Sequence, residues 1–589
     1  MITIFDVLSL FCGLALFLYG MDLMGNALKK SAGSGLKNTL SKMTANPLRG
    51  FLLGLGVTAI IQSSSATTVM VVGFVNSGTM TLFQAIGVIM GANVGTAVTA
   101  WITGLSGLGS GASAAVSALK WLKPDSWMPI VAVIGVALIM FSKRSRKKDI
   151  GTILIGFSIL MVGMGMMGDS VGGLKESETF TSILTVFGEN PLLGVLAGLV
   201  LTAIVQSSSA SIGILQSLST TGAITYGMAI PIILGQNIGT CVTAMMSAIG
   251  ANKNGKRAAV AHLYFNVIGV VFWLSAFYIV NAFANFAFVA DKIDMWGIAA
   301  VHTIFKLLAV GLLFPFAKYL EKLAVLTVKD KDTDDNSPSK LLDPRLIATP
   351  SFAVARATEV AGTMASISCT ALRKSMKLIT AYDAAEADLI RDLESKADVY
   401  EDELGSYLVK ISANPLTDAD NRQLTKLLHI IGDFERISDH AVNIVESAEE
   451  IRQKKLTFSA EAQRELAVMT AALTEILDIS EQSFCENSLD LASKIEPLEQ
   501  VVDDLKDMIK ANHVRRLQTN DCSIEHGFVL SDLLNNFERV SDHCSNVGGC
   551  IIELASHDTL DLHRYLSEVK AGGGTFQREF DAFKAKYSL

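Results

Sequence analysis

The segment NPLRGFLLGLGVTAIIQSSSA at 46–66 recurs as NPLLGVLAGLVLTAIVQSSSA at 190–210, with 15 of its 21 positions identical. A second pair of motifs, GANVGT at 91–96 and GQNIGT at 235–240, keeps the same separation of 144 residues. A constant separation across two motifs indicates that one ancestral unit was duplicated whole. Duplicated apolar segments with polar breaks at membrane depth are typical of secondary transporters, in which the substrate site lies where the repeats meet.

The composition divides the chain into two unlike halves. Half of all residues are hydrophobic and 18% are charged, but the long apolar runs lie before about residue 325 and the charges are dense after it. The net charge of −8 is therefore an average and predicts no nucleic-acid partner. We predict a membrane domain at 1–325 with repeats at about 1–141 and 150–316, a linker at 326–345, a helical domain at 346–560 and a C-terminal helix or tail at 561–589. The fold class is all-α.

The apolar segments on either side of the first QSSS run are too short to cross a bilayer. Residues 51–61 and 66–75 provide 11 and ten residues, or about 15–17 Å of helix each, whereas a crossing needs about 20 residues. We therefore predict a hairpin of two half-length helices whose tip, at the QSSS run, lies near the membrane midplane. A single bent helix that spans the membrane is the alternative.

The charges that precede each hairpin predict that the two repeats are inverted. Residues 23–49 carry a net charge of +5, whereas the equivalent window at 167–193 carries −3. By the positive-inside rule the first window is cytoplasmic and the second is external. The basic loops at 143–148 and 253–257 and the C-terminal half are cytoplasmic as well, if the remaining helices run near 4–22, 82–103, 128–141, 150–167, 227–250, 259–283 and 296–316. We thus expect a multi-pass protein of the cytoplasmic membrane.

The polar residues of the repeats are the candidate ligands. Serine hydroxyls and helix N-termini favour an anion, whereas carbonyl, amide and hydroxyl oxygens at a helix break suit sodium. Because these runs carry almost no fixed charge, a multivalent anion needs co-bound cations there, which predicts coupling to sodium. Close packing of small residues is the alternative role. The candidate substrate and ion ligands are Gln62, Ser63, Ser64, Ser65, Gln206, Ser207, Ser208, Ser209, Asn93, Thr96, Asn237 and Thr240, with Thr67, Thr68, Thr99 and Thr243 in reserve.

Three other polar residues lie at membrane depth, namely His262, His302 and Lys306. The lysine can extend its ammonium to the membrane surface or neutralise the anion. We expect all three to serve helix packing or the membrane interface.

The paired QSSSA segments, each followed by a GxNxGT motif, resemble the bacterial form of the type II sodium/phosphate cotransporter family over about residues 1–320. The resemblance implies an inverted-repeat fold whose two hairpins cross near the centre. It also implies that Gln62–Ser65 and Gln206–Ser209 bind phosphate and sodium. The second hairpin continues ASIG where the first continues ATTV, so the resemblance carries over no ligands beyond the serines there.

The charged half is also duplicated, because FERISDHAVN at 434–443 matches FERVSDHCSN at 537–546. Each copy places two carboxylates at i and i+4 on one helix face, and each has a similar pair about 40 residues upstream. Helices that face each other across a bundle can gather such carboxylates around a metal ion. The candidate metal ligands are Glu394, Asp398, Glu435, Asp439, Glu499, Asp503, Glu538 and Asp542, with His440 and His543 as further ligands or structural partners. An ordinary solvated helix face with a buried Glu–Arg pair is the alternative.

These ERxSDH segments resemble the PhoU family of all-helical proteins, which are associated with phosphate control and with binding several metal ions. The resemblance implies a regulatory domain that holds a divalent or trivalent metal and contacts a regulatory protein or a second copy of the chain.

Together these features predict a symporter of sodium and inorganic phosphate in the lipid bilayer. An exporter of phosphate or of another oxyanion, and a membrane-tethered regulator, are the alternatives. No Walker loop, HExxH or GxSxG motif is present, so no enzyme activity is predicted.

Overall fold

The computed structural model describes residues 4–43, 47–107, 124–172, 186, 190–329, 341–519, 522–556 and 575–589. Apart from one antiparallel bridge between Thr225 and Lys292, the regular structure of these residues is helical, which confirms the predicted all-α class. The chain forms two compact units. One comprises Met1–Asp335 with Asp343–Ser351, and the other comprises Asn336–Leu342 with Phe352–Leu589.

The first unit repeats one series of helices. Within each repeat, the helices on either side of the QSSS run and the two that follow have nearly equal lengths, with 15, 13, 14 and 8 residues in the first copy and 15, 12, 14 and 7 in the second. The helices of this unit are α1 (Ile4–Met43), α2 (Pro47–Ile61), α3 (Ser64–Asn76), α4 (Leu82–Gly95), α5 (Ala97–Gly104), α6 (Pro124–Phe141), α7 (Ser145–Val171), α8 (Pro191–Val205), α9 (Ser208–Ser219), α10 (Tyr226–Gly239), α11 (Cys241–Ser247), α12 (Lys253–Ala284), α13 (Met295–Leu313) and α14 (Ala317–Thr327).

Several helices differ from the predicted bounds for local reasons. The helix predicted at 4–22 continues to Met43, because the following residues include many good helix formers and no proline. The helices predicted at 82–103 and 227–250 are each divided, at Thr96 and at Thr240. The helix predicted at 259–283 begins at Lys253, because the side chain of Asn252 caps it by accepting a hydrogen bond from the Gly255 N–H at 2.9 Å.

Glycines allow the first arm of each hairpin to cross the next helix of its repeat at very short range. A Cβ atom on Gly91 of α4 would lie 1.9 Å from the carbonyl oxygen of Phe51 in α2. The equivalent atom on Gly235 of α10 would lie 1.9 Å from the carbonyl oxygen of Val195 in α8. No side chain fits at such distances, so the glycines fix the position of both hairpins against α4 and α10.

Among the residues that the structure describes, six helical stretches are long and apolar enough to cross a membrane, which supports a membrane protein. The hairpin helices are shorter, at 15, 13, 15 and 12 residues, as predicted for segments that do not span. The six stretches are Ile4–Ser31, Leu82–Gly107, Arg146–Val171, Tyr226–Ser247, Lys253–Ala284 and Met295–Thr327.

The end of the predicted linker packs on the first unit as a short 3-10 helix, Pro344–Ala348. The carboxylate of Asp343 is buried and accepts hydrogen bonds from Asn76 Nδ2 at 2.7 Å and Arg345 Nη1 at 2.8 Å. Arg345 Nε also donates to the carbonyl oxygen of Ser247 at 2.6 Å. The segment therefore joins the ends of α3 and α11. Residues 330–340 of the predicted linker lie outside the described residues.

The second unit contains two copies of a three-helix arrangement. Phe434 and Phe537, which begin the two ERxSDH segments, are both fully buried at equivalent positions. The C-terminal helix is fixed by ion pairs from Lys584 to Asp504 and from Lys586 to Glu475, both at 2.8 Å. The helices are α15 (Pro350–Leu378), α16 (Ala384–Ser412), α17 (Asp418–Gln453), α18 (Ala460–Glu486), α19 (Leu489–Ala492), α20 (Ile495–Gln518), α21 (Ile524–Ser556) and α22 (Thr575–Lys586).

Candidate functional site

The two QSSS runs have nearly the same backbone geometry. Gln62 and Gln206 adopt left-handed conformations with φ of 59° and 55°, which glutamine rarely does. The serine after each glutamine then caps the next helix, because Ser63 Oγ and Ser207 Oγ accept hydrogen bonds from backbone N–H groups three residues on, both at 3.2 Å. Strained backbone of this kind is often found at functional sites.

In the first hairpin the two arms are close together at the tip. Thr58 Oγ1 in α2 donates to Thr67 Oγ1 in α3 at 3.1 Å, although nine residues separate them. A continuous helix would place these residues about 13 Å apart along its axis. The contact therefore favours the hairpin over the single bent helix.

The structure brings both QSSS runs to one cavity of about 270 Å³. All eight residues of the runs line it, Gln62–Ser65 from one repeat and Gln206–Ser209 from the other. The first N–H groups of α3 and α9 have no partner within their helices and carry the positive end of the helix dipole. The cavity is thus placed where two helix N-termini meet, which is an arrangement that attracts anions.

The middle and last serines of each run are available to a ligand. Within the described residues, the hydroxyls of Ser64, Ser65, Ser208 and Ser209 form no hydrogen bond with another side chain or backbone group. The first serines differ, because Ser63 and Ser207 use their hydroxyls as helix caps. The QSSS motif therefore combines one structural serine with two serines that can donate into the cavity.

Helix α1 adds polar groups to the cavity that the sequence analysis missed. Asp22, Asn26 and Lys29 line it together with the QSSS runs. Asn26 Nδ2 donates to Asp22 Oδ2 at 3.0 Å, and Lys29 Nζ donates to Asn26 Oδ1 at 3.5 Å. Their spacing of four and three residues in an apolar helix places them on one face, and this was the signal available in the sequence.

The asparagines and threonines of the GxNxGT motifs, which we also predicted as ligands, are not among the described residues that line this cavity. All four are buried and are bonded to their own helices. The bonds are Asn93 Nδ2 to Ile89 O at 3.0 Å, Asn237 Nδ2 to Ile233 O at 2.8 Å, Thr96 Oγ1 to Ala92 O at 3.2 Å and Thr240 Oγ1 to Asn237 O at 2.6 Å. Their positions support a role in the helix breaks beside the hairpins.

Of the residues held in reserve, Thr99 supports the site indirectly, because its Oγ1 donates to Gln62 Oε1 at 2.9 Å. His262, His302 and Lys306 are buried in α12 and α13, so Lys306 does not extend to the membrane surface. None of these three residues lines the QSSS cavity.

The second unit does bring some of its predicted carboxylates together. Burial and the neighbouring Asp439 raise the pKa of Glu435 to about 7, and burial with Asp439 and Asp398 raises that of Glu394. In the other copy, burial together with Glu538 and Asp503 raises the pKa of Asp542, and Glu538 is also paired with Lys506 at 2.8 Å.

The described arrangement does not fit a metal ion. Among the residues that the structure describes, no group of three His, Cys, Asp or Glu side chains could hold one. The two histidines serve instead as structural partners, since His543 Nδ1 lies 2.9 Å from Asp433 Oδ1 and His440 Nδ1 lies 2.8 Å from Asn536 Oδ1. The predicted metal is therefore unsupported, and we assign no step to one.

Comparison with known proteins gives two family matches, each of them double. Residues 16–169 and 172–314 match the family described as Na+/Pi-cotransporter. Residues 362–448 and 466–551 match the PhoU domain. Both duplications seen in the sequence are thus recognised by the family models.

Individual relatives support the same assignment. The "Putative inorganic phosphate export protein YjbB" of Salmonella typhimurium is 24% identical over 568 residues, covering 95% of this chain and 99% of YjbB. The "Uncharacterized protein YqeW" of Bacillus subtilis is 34% identical over 254 residues, covering 43% of this chain and 77% of YqeW. The "Sodium-dependent phosphate transport protein 2B" of Homo sapiens is 24% identical over 394 residues, covering 44% of this chain and 57% of that protein. No solved structure matches the chain.

Proposed function

The chain belongs to the Na+/Pi-cotransporter family, and from this we propose that it is a secondary transporter that couples the movement of inorganic phosphate to sodium across the cytoplasmic membrane. The observation that carries the proposal is the single cavity lined by both QSSS runs. Proteins of this family are transporters rather than enzymes.

Phosphate is bound by hydrogen-bond donors at the crossing of the two hairpins. The free hydroxyls of Ser64, Ser65, Ser208 and Ser209 donate to its oxygens, together with the N–H groups that begin α3 and α9. Lys29 is the only basic side chain among the described residues that line the cavity. A cavity of about 270 Å³ leaves room for phosphate together with co-transported ions.

Sodium is bound by oxygen atoms of the same cavity. The carboxylate of Asp22 and the amide oxygens of Gln62 and Gln206 are hard ligands at its wall. One lysine cannot balance both Asp22 and a phosphate of two negative charges, so sodium must enter with the anion to keep the low-dielectric site near neutral. This charge balance is the physical basis of coupling.

The transport cycle follows from the inverted arrangement predicted for the repeats. One repeat rocks against the other about the QSSS cavity, so that the cavity opens to one side of the membrane and then to the other. With the basic loops cytoplasmic, the second unit is cytoplasmic as well. There it regulates transport, alone, as a homodimer or through a regulatory protein; this role rests on the association of PhoU domains with phosphate control.

Export of phosphate is the second candidate. The observation that favours it is the similarity to YjbB, which extends through both units and covers 95% of the chain. The direction of net flow follows the gradients, so the same site serves either direction.

Radiolabelled phosphate flux into proteoliposomes that contain the full chain tests the proposal. We expect uptake under an inward sodium gradient, none under an equal potassium gradient, and no competition from excess sulfate. Phosphate flux that does not respond to sodium would support phosphate transport but contradict its coupling to sodium. No flux in either direction from well-inserted protein would refute the proposed transport and favour the membrane-tethered regulator.

A further inference from the structure

The two repeats share their sequence motifs but not their side-chain hydrogen bonds. In the first repeat, the buried tip residue Gln62 accepts a hydrogen bond from Thr99 Oγ1 of α5 at 2.9 Å. In the second, the equivalent Gln206 is exposed, and its only side-chain partner among the described residues is the sulfur of Met246, at 3.9 Å. The equivalent Thr243 donates instead to the carbonyl oxygen of Thr240, at 2.9 Å.

The same difference is present between the arms of the hairpins. Thr58 and Thr67 are bonded to each other in the first hairpin at 3.1 Å. Their equivalents Thr202 and Ser211 are both buried, and neither hydroxyl has a partner among the described residues. A buried hydroxyl without a hydrogen-bond partner destabilises the protein. A conformation in which these two hydroxyls bond to each other would therefore be favoured.

The backbones of the two hairpins do not share this difference. The glutamine φ angles differ by only 4°, being 59° and 55°, and both helix caps measure 3.2 Å. The two repeats thus contain equivalent side chains at the hairpin tips. These side chains are hydrogen-bonded to each other in the first repeat and are not in the second. The helices that follow the GxNxGT motifs differ accordingly, because Met246 of α11 is 50% exposed whereas its equivalent in α5, Ile102, is less exposed.

We propose that Thr99 and Thr243 are positioning residues that alternate during transport. The Gln62–Thr99 bond, present here, holds the first hairpin against α5 in one state of the transporter. In the opposite state that bond is broken, Thr243 donates to Gln206, and Thr202 bonds to Ser211. Exchange of conformation between inverted repeats is how such folds expose one site to the two sides of a membrane. This inference rests on the proposed transport function, which supplies the cycle.

Chemical labelling at position 246 measures which state is present. A Met246→Cys reporter is placed in a background in which the exposed or half-exposed cysteines are replaced by Cys12→Ala, Cys485→Ser and Cys522→Ser. The full chain is reconstituted in nanodiscs and treated with N-ethylmaleimide. The reporter is accessible in the state described here and becomes protected when Gln206 packs against α11.

The two threonines have opposite expected effects. Thr99→Val keeps the shape of the side chain but removes the donor. It therefore shifts the equilibrium constant between the two states about two- to tenfold toward the opposite state, the range set by one hydrogen bond, and labelling slows as the accessible fraction falls. Thr243→Val destabilises the opposite state and leaves labelling as fast as in the parent or faster. The double variant returns to the parent rate, and Thr99→Ser, which restores a hydroxyl, does the same.

Labelling does not depend on phosphate flux, so the two hypotheses fail separately. Unchanged labelling in both Thr99→Val and Thr99→Ala would overturn the alternation even if the protein transports phosphate, and so would equal slowing by the Thr99 and Thr243 variants. If the Thr99 and Thr243 variants shift the labelling rate in opposite directions in a protein without phosphate flux, the alternation is supported and phosphate is refuted as the substrate. Unfolding temperatures within a few degrees of the parent exclude misfolding as the cause of slow labelling.

Discussion

Replacing Ser208 by alanine gives a direct test of the phosphate site. Its hydroxyl lines the cavity and is free within the described structure, so Ser208→Ala removes a donor to phosphate without breaking an existing bond of the protein. A hydrogen bond to a charged group contributes about 1.5–3 kcal/mol. Since 1.4 kcal/mol is a factor of ten, the KM for phosphate should rise about 10- to 100-fold.

Initial rates of sodium-driven phosphate uptake into proteoliposomes, measured over a range of phosphate concentrations, give this KM. Two serines of the same hairpin are matched controls. Ser217→Ala alters a buried hydroxyl whose only partner among the described residues is the sulfur of Met164 at 3.8 Å, and should leave KM unchanged. Ser207→Ala removes the cap of α9 and should lower stability by about 1 kcal/mol.

The result that would refute the reasoning is a KM for Ser208→Ala within twofold of the parent value at equal insertion. The same result for Ser64→Ala would show that the serines pack the hairpins and do not bind the substrate. A large rise in KM for Ser208→Ala without a rise for Ser64→Ala would indicate that phosphate binds nearer the second hairpin.

Three further changes test other parts of the structure. Asp22→Asn keeps the size of the side chain but removes the negative charge from the cavity. The sodium concentration for half-maximal phosphate uptake, measured by titrating sodium, should therefore rise about tenfold or more. An unchanged value would exclude Asp22 as a sodium ligand. Gly91→Ala, with its Cβ 1.9 Å from the oxygen of Phe51, should destabilise the protein by at least about 1–3 kcal/mol in thermal unfolding, whereas Gly56→Ala, which meets nothing within 4 Å, should not. Glu435 has a pKa raised to about 7 by burial and by Asp439, so the folded state binds its proton more tightly, and this stabilisation is full below about pH 4.5 and lost as the pH rises through 7. Glu435→Gln should therefore unfold at a higher temperature than the parent at pH 8 and at a similar temperature near pH 4.5, and equal unfolding temperatures at pH 8 would contradict the raised pKa.

The pattern of half-length helices was predictable because it depends on local properties. The apolar stretches around each QSSS run are too short to span, and Asn190 followed by Pro191 predicts a helix start that the structure confirms with a cap of 3.2 Å from Leu192 N–H to Asn190 Oδ1. The equivalent Asn46 lies outside the described residues. Helix bounds were less predictable, since α1 and α12 extend through charged residues whose helix propensity is good but whose role in a helix depends on their neighbours.

The candidate site was predicted in part. The QSSS residues do meet at one cavity. The side-chain Nδ2 atoms of the GxNxGT asparagines are bonded to their own helices, and Asp22, Asn26 and Lys29 of α1 line the cavity without having been expected. The carboxylates predicted as metal ligands in the second unit illustrate the same limit, because i,i+4 spacing sets a helix face but not the distance to the facing helix. The spacing therefore did not predict that Lys506 lies 2.8 Å from Glu538.

The sequence by itself determined that two copies of one membrane unit are present, that each contains two short helices joined at a polar break, and that a second duplicated helical region follows them. These features depend on apolar length, helix caps and internal identity, which neighbouring residues decide. Only the tertiary structure decided which side chains share the cavity and that Gln62 is bonded where Gln206 is exposed. The direction of a side chain follows from how distant helices pack, and two identical motifs can pack in two ways, so no local pattern distinguishes them.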